Sequence, residues 1–466
     1  MIKSFFIFSS ISIALLLSND NHFEKNFLDY DLSENVLLEA INEKVNPCDD
    51  FYNFACGRWI NNKKFDDIYL RNDEAYYRFD DIFKDEYLTG KKHLNSPALE
   101  LLKYAFNFCK NDDYDDTFDI TYLDCGRKVM NVSDVIFHTI IINDFIGAKR
   151  IRQINETVYE MFYNIRDEFI ETIKENKWLD KHSKDLIMKK IDNITVIESF
   201  NLNIFNMKAI DKMYSKIDYK QVEKLDDLLV LINETTNEFK KIYVPEYQDP
   251  LNNNAYYFPT DNAFHVFLGL LERPFFDINF LTSMKYGGYG FIIGHEIVHG
   301  FSGNSLKYLV ANVEGNLLSD ESYEEYNDRM RCIINQYESQ SKDISGQTYN
   351  GTQILEENIS DNGGIKLAYN AYKKIVKKYG YEENKMKKLS KYTNEQLFFI
   401  SFANFFCNKK NNYSDIVIES GLVHGPDKLR ATITLRNQKE FAKAFQCKKG
   451  TKMNPVDKCE TYKRTL

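Results

Sequence analysis

Residues His295-Glu296-Ile297-Val298-His299 set two imidazoles and a carboxylate at a spacing that suits metal chemistry. On a helix, positions i and i+4 share a face one turn apart, so both rings can reach one ion. The glutamate between them can stand beside a water activated by that ion and act as its general base, which is the arrangement of a hydrolytic zinc site. With histidine this scarce, such a pentad arises by chance in about one comparable chain in a hundred. Alone it does not settle function, because a third ligand, groups that orient the rings and a cleft must come from elsewhere. A hydrogen-bonded pair of core histidines is the competing reading.

The elements that must position these groups are legible. A glycine-rich approach, Tyr286-Gly287-Gly288-Tyr289-Gly290, leads into a short helix in which Phe291, Ile292, Ile293, Ile297 and Val298 are apolar nearly all round. Such a helix is buried, and burial obliges its His, Glu and His to find partners, which a metal supplies directly. Downstream, Glu357 and Asp361 again stand at i and i+4. Either one completes a metal site while the other reaches a ligand ring, or both are solvated acids on a surface helix. Upstream, Asn254-Ala255-Tyr256-Tyr257-Phe258-Pro259 reads as an extended edge strand, structural or able to pair with a peptide. Helical patterns cover residues 80–110, with Pro97 opening a second segment, and residues 225–239. Ile151, Ile154, Val158, Met161, Ile165, Phe169 and Ile173 form an amphipathic stripe. Residues 111–119 read as an acidic loop. The expected fold is mainly α with a small β component.

Composition narrows the class. At 466 residues the chain exceeds the size of a single core, so two subdomains are expected. A net charge of −9 without a long basic run argues against a nucleic-acid partner. Residues 1–18 read as a signal peptide, with Lys3 ahead of a short apolar run at 5–17, or as a short uncleaved anchor; no other membrane span is expected. Eight cysteines with no CxxC pair favour disulfides in an oxidising compartment. N-x-[ST] sequons at Asn131, Asn155, Asn193, Asn233, Asn350 and Asn412 fit a secreted glycoprotein, and that at Asn358 is expected to be buried. Oligomeric state is not legible.

Several stretches together resemble the neprilysin and endothelin-converting-enzyme family of zinc metallopeptidases. They are NPCDDFYNFACGRW at 46–59, NAYY at 254–257, PFF at 274–276, YGGYGFIIGHEIVHGF at 286–301, ENISDNGG at 357–364, VHGPDKLR at 423–430 and FQCKKGTKMNP at 445–455. The resemblance implies a zincin-like catalytic domain holding one zinc ion per chain through His295, His299 and Glu357. It implies Glu296 as the base, Asp361 orienting His295, and His424 stabilising the oxyanion. Asn254, Ala255 and Arg430 would bind the substrate backbone. A pocket for the bulky apolar residue after the scissile bond would draw on Leu270, Phe275, Phe291, Ile292, Phe405 and Phe406. It also implies the pairings Cys48–Cys447, Cys56–Cys407, Cys332–Cys459 and Cys109–Cys125.

The departures from the family are as informative. In the family the equivalents of Cys109 and Cys125 bracket a large helical outer domain that restricts access, and here 125 − 109 = 16 residues separate them. The implied organisation is a signal peptide (1–18), the N-terminal part of the catalytic domain (19–110), a truncated helical outer domain with linkers (111–240) and the C-terminal catalytic domain (241–466). Ser302 and Gly303 replace two acids, which is expected to loosen support around the site. Glu272 and Arg273 replace Gln and Pro, His265 replaces an apolar strand residue, and Tyr462 replaces a C-terminal Trp. Arg71 is the nearest candidate for gripping a peptide carboxylate. The expected activity is a secreted metalloendopeptidase cutting small peptides on the amino side of bulky hydrophobic residues. The alternative is a catalytically inactive secreted binding protein of the same fold.

Overall fold

The computed structural model describes residues 28–65, 70–111, 124–200, 205–244, 247–380, 382–409 and 423–462. The expected signal peptide, all but the first residue of the acidic stretch at 111–119 and the sequon at Asn412 lie outside these.

The chain is mainly helical with few strands. The N-terminal part forms α1 (Tyr30–Leu38) and α2 (Phe51–Ile60), then α3 (Glu74–Ile82), α4 (Pro97–Asn111), α5 (Cys125–Val132) and α6 (Asp134–Ile140). Pro97 opens α4, where its missing N–H and fixed φ cost nothing. The long α7 (Ala148–Glu175) buries the predicted stripe from Ile151 to Ile173. It is followed by α8 (Lys181–Asp192), β1 (Thr195–Glu198), α9 (Met207–Tyr214) and α10 (Leu225–Tyr243). One apolar core runs from Val36 to Tyr462.

Strands β2 (Tyr256–Phe258) and β3 (Ala263–Val266) complete a small sheet. β3 is central, parallel to β1 and antiparallel to β2, with Tyr256 opposite His265. β2 is therefore an edge strand of this sheet. His265 is buried, its ring 4.7 Å from that of Phe258.

The C-terminal half contains α11 (Thr282–Gly287), α12 (Tyr289–His299), the hairpin β4 (Tyr308–Val310) and β5 (Val313–Glu314), α13 (Asp320–Ser345), α14 (Leu355–Tyr379), α15 (Asn394–Phe405), α16 (Asp427–Asn437) and α17 (Lys439–Ala444). α12 packs on α14, and α7 lies against both. The α12–α14 contact is backbone to backbone. A Cβ on Gly294 would lie 2.5 Å from the Gly364 carbonyl oxygen, and a Cβ on Gly364 would lie 2.5 Å from the His295 nitrogen. Any side chain at either position would separate the helices. Beyond α12, the Tyr462 hydroxyl donates to the Phe301 carbonyl at 2.8 Å, and its ring packs on Phe169. The substituted C-terminal aromatic thus supports the end of the pentad helix.

Four disulfides tie distant segments: Cys48–Cys447, Cys56–Cys407, Cys332–Cys459 and Cys109–Cys125. The first two fasten α2 and its preceding loop to the C-terminal part. Loops this long gain the most from closure, about 6 kcal/mol each in the chain-entropy model.

Gly364→Ala is expected to force α12 and α14 apart. Overpacking of this kind costs about 1–3 kcal/mol, and urea unfolding should register it together with weaker metal retention against a chelator. Wild-type stability and retention in this variant would contradict the close approach.

Candidate metal centre

α12 and α14 each present an i, i+4 pair to the other. His295 and His299 project from α12, and their Nε2 atoms lie 3.0 Å apart. Glu357 projects from α14, with Oε2 3.3 Å from His295 Nε2 and Oε1 3.4 Å from His299 Nε2. One donor atom from each residue lies within 4.8 Å of the others, and His295 and Glu357 are buried. Asp361, one turn along α14, sets Oδ1 3.0 Å from His295 Nδ1. That contact leaves Nε2 of His295 facing Glu357 and His299. Two imidazoles, one carboxylate and a carboxylate behind one ring make a donor set that suits zinc. The spacing at Glu357 and Asp361 admitted two readings; both residues prove buried, so the pair is no solvated surface feature.

Two buried carboxylates need compensation. Arg430, in the first turns of α16, supplies it: Nε donates to Asp361 Oδ2 at 2.8 Å, and Nη2 to Asp361 Oδ1 at 2.8 Å and Glu357 Oε2 at 3.3 Å. His424 lies just before α16, half-exposed, with Nε2 3.0 Å from Glu357 Oε2. Burial works to raise the Asp361 and Glu357 pKa values. Arg430 and His295 outweigh it at Asp361, and His295, His424 and Arg430 hold Glu357 well below the usual carboxylate range. Burial disfavours charge on His295, yet Asp361 and Glu357 push its pKa up to about 10. Burial, then the neighbouring His295, push His299 down to about 3. Burial pushes Glu296 up to about 8, against the pull of His295, Arg430 and the backbone amide of Tyr257.

These groups open onto a cleft of about 360 Å³. Asn254 and Ala255 line it from the start of the edge strand, with Tyr256, Tyr257 and Pro259 beyond them. Leu270, Phe291, Ile292 and Phe405 form an apolar wall, while His295, Glu296, His299, Glu357, His424 and Arg430 form the floor and far side. Phe275 and Phe406 stand behind this wall, Phe275 against Phe405 at 5.4 Å and Phe406 beneath Arg430 at 5.2 Å. A larger groove of about 980 Å³, edged by Lys439, Lys443 and Lys458 near Cys459, is lined by none of these residues.

Two expectations need correction. Arg71 does not line the cleft. It is fully buried, donating to Asn404 and to the Val36 carbonyl oxygen at 2.8 Å, with Glu39 and Glu74 each at 3.8 Å. Its charge is spent joining α1, α3 and α15. The Ser302-Gly303 substitution does not leave a loose site either. Ser302 is buried, and the space beside Gly303 holds the Glu356 carboxylate.

A layer behind the ligands was not legible in sequence. Asn362 donates to the Tyr337 hydroxyl at 2.9 Å and accepts from Asn437 at 2.8 Å, and Gln336 donates to Asn437 at 2.8 Å. This network locks α13, α14 and α16 together. Asn362 falls within the ENISDNGG run, but nothing in its spacing names partners on α13 and α16.

Comparison with known proteins follows the same segments. Residues 254–461 match the model of peptidase family M13. Neprilysin-3 of Drosophila melanogaster is 31% identical over 333 residues, covering 69% of this chain and 42% of its own length. Endothelin-converting enzyme 1 of Cavia porcellus is 32% identical over 332 residues, covering 68% of this chain and 42% of its own. The chain thus spans well under half the length of these relatives. Among solved structures, a zinc metalloprotease of Mycobacterium tuberculosis in an open state matches in fold with a TM-score of 0.56 at 20% identity, over 72% of this chain and 52% of its own. A chain of the Haemonchus galactose containing glycoprotein complex matches with a TM-score of 0.68 at 18% identity, over 93% of this chain and 99% of its own. A solved chain of nearly matching extent therefore shares this fold.

Asp361→Asn keeps the shape of the side chain and removes the charge that holds Arg430 and His295. Breaking a buried pair costs about 3–5 kcal/mol, and losing the group behind a ligand ring weakens metal binding about 10- to 100-fold. Urea unfolding and chelator competition measure the two effects. An unchanged affinity would mean that Asp361 does not orient His295.

Proposed function

The chain is a neprilysin-like protein of peptidase family M13, and from that premise we propose that it is a secreted zinc-dependent metalloendopeptidase. The observation that carries the proposal is the convergence of His295, His299 and Glu357 donor atoms beside Glu296, in a cleft bordered by an edge strand. The donor set fits the metal: two imidazoles, which give up the ring proton on ligation, and a carboxylate, with Asp361 behind His295.

When bound, zinc supplies a Lewis acid that polarises a peptide carbonyl and activates water. The remaining work belongs to the chain. His295 and His299 offer Nε2, and Asp361 holds Nδ1 of His295 so that this tautomer persists. Glu296 takes a proton from the attacking water on its carboxylate and returns it to the leaving amine. His424 stabilises the oxygen that becomes negative, and Arg430, held rigid by Asp361, donates to a substrate carbonyl. Asn254 and Ala255 bind the peptide backbone, which adds to the strand edge. The apolar wall of Leu270, Phe291, Ile292 and Phe405 takes a bulky side chain on the carboxyl side of the cleaved bond. Residues 241–466 serve as the main catalytic domain, completed by 19–110, with 111–240 as a reduced outer domain and its linkers. Secretion follows from residues 1–18 and the disulfides, with a membrane-anchored ectoenzyme as the variant reading. The exposed sequons at Asn131, Asn193, Asn233 and Asn350 are the glycosylation sites this reading uses, whereas Asn358 is buried.

A second reading, a noncatalytic secreted binding protein, draws on the span of 42% of the relatives' length. Purified chain is expected to retain one zinc. Glu296→Gln should keep that zinc and lose peptide hydrolysis by at least about a hundredfold. Zinc-loaded wild type that cleaves no peptide would favour the second reading, and wild type that retains no zinc would overturn the first.

A further inference from the structure

The two ends of the cleft differ in chemistry. Beside the first turns of α12 the wall is apolar, formed by Leu270, Phe291, Ile292 and Phe405. His295, Glu296 and His299 follow along the helix. Past its last turn the wall is formed by Ser305 and Glu356. The metal donors therefore separate an apolar end from an end that carries a carboxylate.

Glu356 differs from the neighbouring Glu357 in how it is used. Glu357 is engaged by His295, His299, His424 and Arg430. Glu356 is exposed and has no ion-pair partner among the described residues; the charge acting on it is the like charge of Glu357. Its carboxylate sits against the loop after α12. Gly303 has φ +48°, and a Cβ there would lie 1.9 Å from Glu356 Oε1 and 2.2 Å from its carboxyl carbon. The carboxylate lies over the Gly303 backbone, in space that any side chain at 303 would fill. The loop after α12 thus leaves room for this carboxylate in the cleft wall.

We propose that Glu356 is a specificity residue that favours substrates with lysine or arginine on the amino side of the cleaved bond. The direction follows from the peptidase reading, on which this inference rests. The apolar wall receives the residue on the carboxyl side, so a peptide lying along β2 sends its amino-side residues past His299 toward Glu356. The other cation in the cleft, Arg430, is neutralised by Asp361 and Glu357, so it does not cancel the field of Glu356.

The test uses zinc-loaded full chain and peptides of one sequence that differ only in Lys, Gln or Glu at each of the two positions before the cleaved bond. A single solvated contact predicts kcat/KM about two- to fivefold higher for Lys than for Gln, with Glu lower still. Glu356→Gln should collapse the Lys-to-Glu ratio, and Glu356→Lys should invert it. Binding of the same peptides to Glu296→Gln, with and without Glu356→Gln, gives a readout that needs no turnover. Equal wild-type treatment of Lys and Glu peptides, or a ratio that survives Glu356→Gln, would overturn the inference. Charge preference in binding with no cleavage by wild type would overturn the peptidase reading and leave Glu356 as the selector.

Discussion

The site depends on a backbone contact. α12 and α14 touch through Gly294 and Gly364, where a Cβ on either glycine would meet the other helix at 2.5 Å. Helices this close present side chains to each other across a short gap, so two histidines from one and two acids from the other meet within hydrogen-bonding range. Wider helix packing, with axes 8–10 Å apart over ordinary side chains, would leave Glu357 short of the two Nε2 atoms. The glycines are therefore as much a part of the metal centre as its donors, although they contribute no ligand atom.

Closeness creates an electrostatic demand that the rest of the domain answers. Glu357 and Asp361 are buried together, and Arg430 from α16 balances them with a bidentate grip on Asp361. A point charge would not give this planar, two-bonded geometry. The amide and hydroxyl network of Gln336, Tyr337, Asn362 and Asn437 then fixes α16 relative to α13 and α14. Outside this layer, the disulfides from Cys48 and Cys56 and the Tyr462 hydroxyl hold the flanking segments in place. None of these supports comes from the short segment between Cys109 and Cys125.

The pentad, the buried helix around it, the stripe of α7 and the edge strand were legible because each is a property of one segment, and periodicity reports the faces of single elements. The sequence does not report which faces meet. Spacing alone left Glu357 and Asp361 open to a surface reading, because their burial is decided by α12 and α16. Arg71 was a reasonable candidate by charge, yet its guanidinium is enclosed by Asn404 and Val36. Ser302 and Gly303 suggested a weakened site, because the carboxylate that fills the gap comes from Glu356, more than fifty residues away in the chain. Each of these depends on a contact between distant segments.

Zinc-edge X-ray absorption on the purified, metal-loaded chain tests the central claim most directly. The account predicts only nitrogen and oxygen neighbours at about 2.0–2.1 Å, with multiple scattering from two imidazoles. A sulfur shell at about 2.3 Å, or scattering from fewer than two imidazoles, would contradict it.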